Sequence, residues 1–172
     1  MNANIREIYL AAGCFWGAEK YLKLLHGVES TEVGFANGHT ADPTYKEVYT
    51  DTTGFAEAVH VCYDASQMPL EELLRFYFKA IDPVSLNRQG EDEGTRYRTG
   101  IYYARPEDRA VIDRVYAEVE TEVGAPLAVE VLPLQNFYRA EDYHQDYLGK
   151  HPGGYCHLSP TLFELAAATR RK

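Results

Sequence analysis

Apolar positions along the chain fall into two periods, and each change of period marks a change of element. Ile5, Tyr9 and their neighbours make a short apolar run. After Gly13 the spacing becomes helical, with Ala18, Tyr21, Leu22 and Leu25 on one face and Gly27 as a stop. Thr31 to Phe35 predicts a second strand, and the Asn-Gly and Asp-Pro pairs between Ala36 and Thr44 predict a surface loop. From Glu57 to Tyr63 the chain alternates, placing Glu57, Val59, Val61 and Tyr63 on one face of a strand and Ala58, His60 and Cys62 on the other. Pro69 fits a first helical position, and Leu70, Leu73, Leu74, Tyr77 and Ile81 then recur at helical spacing until Asp82-Pro83. Ser85 to Arg98 has no period and reads as a long loop, a kind of segment that in compact domains is usually functional.

Thr99 to Tyr103 predicts another strand. Pro106 to Val123 predicts a long helix with Ile112, Val115, Tyr116, Val119 and Val123 inward and Gly124 closing it, and Leu127 to Leu132 completes the sheet. A short helical patch follows near Glu141 to Leu148. Strands alternating with helices predict an α+β fold, a single-domain α/β sandwich with a mixed sheet. Pro152 and the pair Gly153-Gly154 exclude regular structure from His151 to Cys156, so residues 150–172 are expected to form a long C-terminal coil, a mobile tail able to carry a thiol.

Composition narrows the function. With 172 residues and 45% hydrophobic content the chain has the size of one domain with one core, and a single domain over 1–172 is expected. Neither a long apolar span nor a leader pattern is present, so a soluble cytoplasmic protein, a monomer without a membrane role, is expected. A formal net charge of −9, with basic clustering only at Arg170, Arg171 and Lys172, opposes nucleic-acid binding. Three cysteines, Cys14, Cys62 and Cys156, are too few and of the wrong parity for a secreted disulfide framework, which points to a reducing compartment.

Cys14 lies in Gly13-Cys14-Phe15-Trp16-Gly17, where a strand ends and a helix begins. The unpaired amides and positive end of that helix can stabilise a thiolate, and the flanking glycines allow a sharp turn and a close substrate approach. Phe15 and the single tryptophan, Trp16, put two apolar rings beside the sulfur. Two other chemistries fit the same residues. Cys14 with His39, His60, His144, His151 or His157 as base would make a cysteine hydrolase or acyltransferase. Cys156 with His157 or His151 would make a small metal module, although no Cys-x-x-Cys or His-x-x-x-His pair supports it.

The pentapeptide Gly13 to Gly17 resembles the signature of the peptide methionine sulfoxide reductase A family. The resemblance continues in order through Pro43-Thr44-Tyr45-Lys46-Glu47-Val48, Ala56-Glu57, Gln89-Gly90 with Asp92, Gly94-Thr95-Arg96-Tyr97-Arg98 and Gly154-Tyr155-Cys156. It implies a ferredoxin-like related sandwich without a cofactor, and thiol-dependent reduction of methionine-S-sulfoxide, free or in oxidised proteins, as a repair reaction in oxidative stress. By the same resemblance Cys14 is the nucleophile that becomes a sulfenic acid. Glu57 is the acid at the sulfoxide oxygen, Tyr45 and Tyr97 donate hydrogen bonds to that oxygen, and Asp92 shapes the pocket. Phe15 and Trp16 hold the methyl group, and Cys156 closes a disulfide that thioredoxin or another dithiol reduces. Cys62, on the strand face opposite Glu57, is a rival for that last step and reads better as a buried spectator. The chain departs from the family pattern at Phe55, where histidine is usual before Ala-Glu, and at Phe35, where many relatives have tyrosine.

Overall fold

The computed structural model describes residues 4–41, 43–89, 92–154 and 156–171, so Gly90 and Tyr155 of the motifs above lie outside the described residues. In chain order the elements are β1 (Ile5–Ala12), α1 (Phe15–Lys23), β2 (Val28–Ala36), α2 (Tyr45–Tyr49), β3 (Ala56–Asp64) and α3 (Leu70–Lys79). The two-residue strands β4 (Arg88–Gln89) and β5 (Asp92–Glu93) lead to a 3₁₀ turn at Thr95–Tyr97 and then to β6 (Thr99–Tyr103) and α4 (Asp108–Val123). After them come β7 (Glu130–Pro133), β8 (Phe137–Arg139), a 3₁₀ turn at Asp142–His144, α5 (Tyr147–Lys150) and α6 (Pro160–Ala168).

Six strands form one sheet in the order β7-β6-β1-β3-β2-β8. β1 lies antiparallel between β3 and β6, β2 lies antiparallel between β3 and β8, and β7 runs parallel to β6. The sheet is therefore mixed, as the sequence predicts. Strand alternation sorts the side chains: Ile8, Leu10, Val59, Val61 and Tyr63 join the principal core beneath the helices, and Tyr9, Ala11, Ala58 and Tyr102 make a smaller cluster on the opposite face. Each large aliphatic side chain buried in this way contributes about 1.5–3 kcal/mol. Tyr77 of α3 donates to the Ala11 carbonyl at 2.6 Å and accepts from the Gly100 amide at 3.1 Å. That phenol ties the end of β1 to β6 one turn ahead of Cys14. Among the described residues no helix is long and apolar enough to cross a membrane.

Several local expectations change. Pro69 is the N-cap of α3 rather than its first residue, and Ile81 lies beyond the last turn. Val123 is 44% exposed rather than inward. The pairs Arg114–Glu71 and Arg75–Glu118 set α3 and α4 side by side in the same direction, so α3 ends opposite the last turn of α4 and leaves Val123 uncovered. The last long strand spans Glu130–Pro133, not Leu127 to Leu132. The segment expected as loop at Ser85 to Arg98 holds the β4–β5 hairpin and a 3₁₀ turn. The tail after 150 is not coil throughout, because Pro160 opens α6, whose Ala166 is fully buried. Cys62 is half-buried rather than buried, since its sheet face carries few covering groups.

Candidate active site

The site is assembled where β1 gives way to α1. Gly13 adopts φ +82, a left-handed conformation open to glycine at little cost, and this turn delivers Cys14 as the N-cap of α1. The Cys14 thiol is 5% exposed. Burial pushes it well above its ordinary value, the Glu57 carboxyl pushes further the same way, and the Trp16 backbone N–H acts in the opposite direction. The helix start therefore does not hold a resting thiolate here. One of its free amides is taken, because the Phe15 N–H donates to Glu57 Oε1 at 3.1 Å.

Glu57 comes from β3 on the face its parity predicts and is 1% exposed. Burial raises its carboxyl to about 8, with the Phe15 amide and Arg96 pulling it back in part. Its Oε2 has no hydrogen-bond partner among the described residues. Across the ladder its register partner is Phe35, so a phenyl ring stands where the resemblance leads one to expect a phenol, and the carboxyl loses one polar neighbour. Phe55 is likewise buried, edge-on to Tyr138. The phenyl ring of Phe35 across the ladder brings no hydroxyl to the acid, which favours the protonated form.

The tyrosines arrive from two short elements. Tyr45 opens α2, whose start is fixed by a capping box: Thr44 Oγ1 accepts from the Glu47 amide at 3.1 Å and Glu47 Oε1 accepts from the Thr44 amide at 3.0 Å. Burial first and Glu57 second raise the Tyr45 phenol, and the same two causes push Tyr97 up to about 12. Both phenols therefore stay protonated donors at neutral pH. Tyr97 is buried at the end of its 3₁₀ turn, and Arg96 beside it lies between the Tyr49 and Tyr97 rings and pairs with Asp51.

Phe15 has no exposed surface and packs against Phe35, Tyr45 and His144. Trp16 is half-buried, stacked on Tyr147 at 3.8 Å between centroids. Its indole Nε1 donates to His144 Nδ1 at 3.0 Å. The sequence offered His144 only as one of five possible bases. The structure buries it completely among Phe15, Trp16, Tyr45 and Tyr143. Because Nδ1 accepts from the indole, the ring proton sits on Nε2, and the imidazole orients Trp16 rather than serving as base to Cys14.

Cys156 and its neighbour fold back onto α1. A Cβ on Gly17 would lie 2.9 Å from Cys156 Sγ and 3.3 Å from His157 Nδ1. Gly17 is thus glycine because a sulfur occupies the space of its side chain, not because its backbone needs freedom. The Cys156 thiol also acts electrostatically on Cys14, which puts the two in one neighbourhood at the start of α1. The Leu158 amide donates to Cys156 Sγ at 3.4 Å. Asp92, on the β4–β5 hairpin, places Oδ2 4.0 Å from His157 Nδ1. Cys62 is on the far side of the sheet with Glu7 and His60, the group of three potential metal ligands found among the described residues. Those side chains already engage one another, at 3.4 Å for His60 with Glu7 and 3.8 Å for His60 with Cys62.

A sequence model described as peptide methionine sulfoxide reductase matches residues 6–171. The chain belongs to the peptide methionine sulfoxide reductase family. Its reaction is the reduction of peptide methionine-S-sulfoxide to methionine. This reductase is 53% identical over 161 residues to peptide methionine sulfoxide reductase MsrA of Lachnoclostridium phytofermentans, covering 94% of this chain and 97% of the relative. It is 51% identical over 160 residues to the MsrA of Clostridium acetobutylicum, covering 93% and 99%. In three dimensions it resembles reduced Mxr1 from Saccharomyces cerevisiae, with a TM-score of 0.86 at 38% identity over 94% of this chain and 92% of that one. Mxr1 has also been solved in complex with Trx2, to which this reductase superposes with a TM-score of 0.61 at 28% identity over 86% and 87% of the chains.

Proposed function

We propose that Cys14, Glu57 and Cys156 carry the reductase cycle in that order. The observation that supports this most is a buried carboxyl, protonated below about pH 8, seated on the first amide of the helix that Cys14 caps. A neutral thiol and a neutral acid suit a neutral, dipolar substrate. Glu57 gives its proton to the sulfoxide oxygen, and Tyr45 and Tyr97 hold that oxygen by hydrogen bonds. Cys14 sulfur attacks as its own proton passes to the Glu57 carboxylate. The sulfur–oxygen bond of the substrate breaks, methionine leaves reduced by two electrons, and Cys14 becomes a sulfenic acid, with Glu57 protonated again.

Trp16 supplies the partly exposed ring for the methyl group, with Phe15 behind it and His144 fixing its tilt. Asp92 borders the site from the hairpin. Cys156 then attacks the Cys14 sulfur, forming a disulfide and releasing water. Gly153 and Gly154 let the tail swing outward so that thioredoxin can reduce the bond, a reading supported by the Mxr1 complex with Trx2. Three unpaired cysteines fit a monomer working in a reducing cytoplasm. The reading is tested by assaying resolved epimers of a methionine sulfoxide peptide with and without dithiothreitol. We expect reductant-dependent turnover of the S epimer alone, and equal turnover of both epimers, or release of product without any thiol consumed, contradicts it.

A further inference from the structure

His157 is a polar group of the site with an enclosed side chain to which the cycle gives no task. Its side chain is 3% exposed. Nε2 lies 2.9 Å from the carbonyl oxygen of Ala12, the residue that ends β1 two positions before the nucleophile. A carbonyl only accepts, so Nε2 carries the ring proton and Nδ1 carries the lone pair. Nδ1 has no hydrogen-bond partner among the described residues. A buried lone pair without a donor is unusual, because such atoms normally find a partner.

Two neighbours say what Nδ1 faces. It borders the point above Gly17 that Cys156 Sγ also borders, at 3.3 Å and 2.9 Å respectively. On its other side is Asp92 Oδ2, 4.0 Å away. The ring is wedged over both glycines that flank the nucleophile, since a Cβ on Gly13 would lie 3.1 Å from Nε2. Nδ1 thus lies near both the Cys156 thiol and the Asp92 carboxylate with a hydrogen bond to neither, its ring anchored by backbone at Nε2. The resting thiol donates to the Leu158 carbonyl at 3.7 Å and must turn from it toward Nδ1 to be deprotonated there.

We propose that His157 is a further catalytic residue of this reductase, the base that takes the thiol proton of Cys156 as that sulfur attacks the Cys14 sulfenic acid. The inference rests on the reading of Cys156 as the resolving thiol. As the Cys156–Cys14 sulfur bond forms and the Cys14 sulfur–oxygen bond breaks, Nδ1 receives the thiol proton. The imidazolium is held between the Ala12 carbonyl and Asp92, and returns that proton to the departing hydroxide, which leaves as water. No proton is gained or lost overall, and Cys14 sulfur gives up its oxygen as the two thiol sulfurs share the oxidation. A base is needed because burial raises the Cys156 thiol, an effect that Lys20 and the Leu158 amide offset only in part. Burial also lowers the imidazole, so it waits in its neutral, proton-accepting form. The charged or titratable groups around Nδ1 and the Cys156 thiol are Asp92 from the hairpin, Cys14 and Lys20 from α1, and Glu57 acting on Cys14.

The test separates the two half-reactions. Enzyme without reductant is mixed with S-sulfoxide peptide and quenched over time, and methionine released and free thiols lost are counted for the parent, His157→Gln, His157→Asn and Cys156→Ser. Glutamine keeps an N–H where Nε2 was and so keeps the anchor to Ala12, but has no lone pair at the Nδ1 position. In His157→Gln we expect the ratio of disulfide closure to methionine release to fall about 100-fold, the size of a modest general-base contribution. The closure rate should also change its pH dependence, from the parent's imidazole-controlled plateau to a continuous rise that follows the Cys156 thiol. If glutamine keeps the parent ratio and pH profile while asparagine does not, His157 only anchors the tail and the proposal is overturned. In Cys156→Ser one thiol per methionine, that of Cys14, should be lost; if a second thiol disappears there at the parent rate, the resolving role of Cys156 itself fails.

Discussion

Replacing Glu57 by glutamine should stabilise the fold and cripple the reaction, and the stabilisation should depend on pH in a defined way. The folded carboxyl titrates at about 8 against an ordinary value of 4.5. Between those values the folded state holds a proton that the unfolded chain releases, so wild-type stability falls as pH rises through the window and is level on either side. At 1.4 kcal/mol per unit, the burden on the wild type is about 3 kcal/mol at pH 7 and about 5 kcal/mol once pH exceeds 8. Glutamine keeps a carbonyl to accept from the Phe15 amide and has nothing to ionise. The difference in unfolding free energy between Glu57→Gln and the parent should therefore be small at pH 4.5 and grow by about 3 kcal/mol by pH 7. Urea unfolding at a series of pH values measures it. A difference that stays constant across the window would mean that Glu57 is ionised in the resting enzyme and would refute the neutral-acid account. The same variant should lose about 10²- to 10⁴-fold in methionine release, the span of one acid–base group.

Three further outcomes follow from the geometry. Methionine release in a single turnover should be level below the Glu57 value of about 8 and fall above it, as the acid loses the proton it must give; a rate that rises through that pH would assign control to the Cys14 thiolate instead. Gly17→Ala should fold normally, since α1 has ordinary helical backbone there, but its methyl would meet Cys156 Sγ, so disulfide closure should slow severalfold while one methionine per enzyme is still released, as thiol counting would show. Trp16→Phe, which removes the indole donor to His144, should raise KM for the S-sulfoxide more than it lowers kcat in steady-state assays.

Much of this arrangement could be read from residue order, and what could not has particular causes. Glu57 was legible because strict alternation from Glu57 to Tyr63 fixed its face, and the Gly13 turn because strand and helix periods meet there. Both are local signals. The α2 start was also written in the chain, as Thr44 and Glu47 at capping-box spacing, yet a five-residue helix is too short for periodicity to reveal. β4, β5 and β8 are shorter still, and α6 was obscured by the glycines that precede it. Gly17 was legible as a glycine but not for the right reason, because only the fold brings Cys156 over it. His144 and His157 appeared in the sequence only among five candidate bases, with His157 also a candidate metal ligand, and nothing singled them out, for the same cause: each acquires its partner, Trp16 or Ala12, across more than a hundred positions. The helix-dipole argument for a resting thiolate at Cys14 failed because it counted the free amides and not the water excluded by Phe15 and its neighbours.

The central claim is that oxygen passes from methionine to one sulfur, Cys14, with Cys156 waiting next in line. It is tested most directly in Cys156→Ser, exposed to S-sulfoxide peptide without reductant and examined by peptide mass spectrometry. The account predicts one methionine released per enzyme and the mass of one added oxygen on the peptide carrying Cys14. Oxygen found on Cys62, or continued release of methionine beyond the first equivalent, would contradict it.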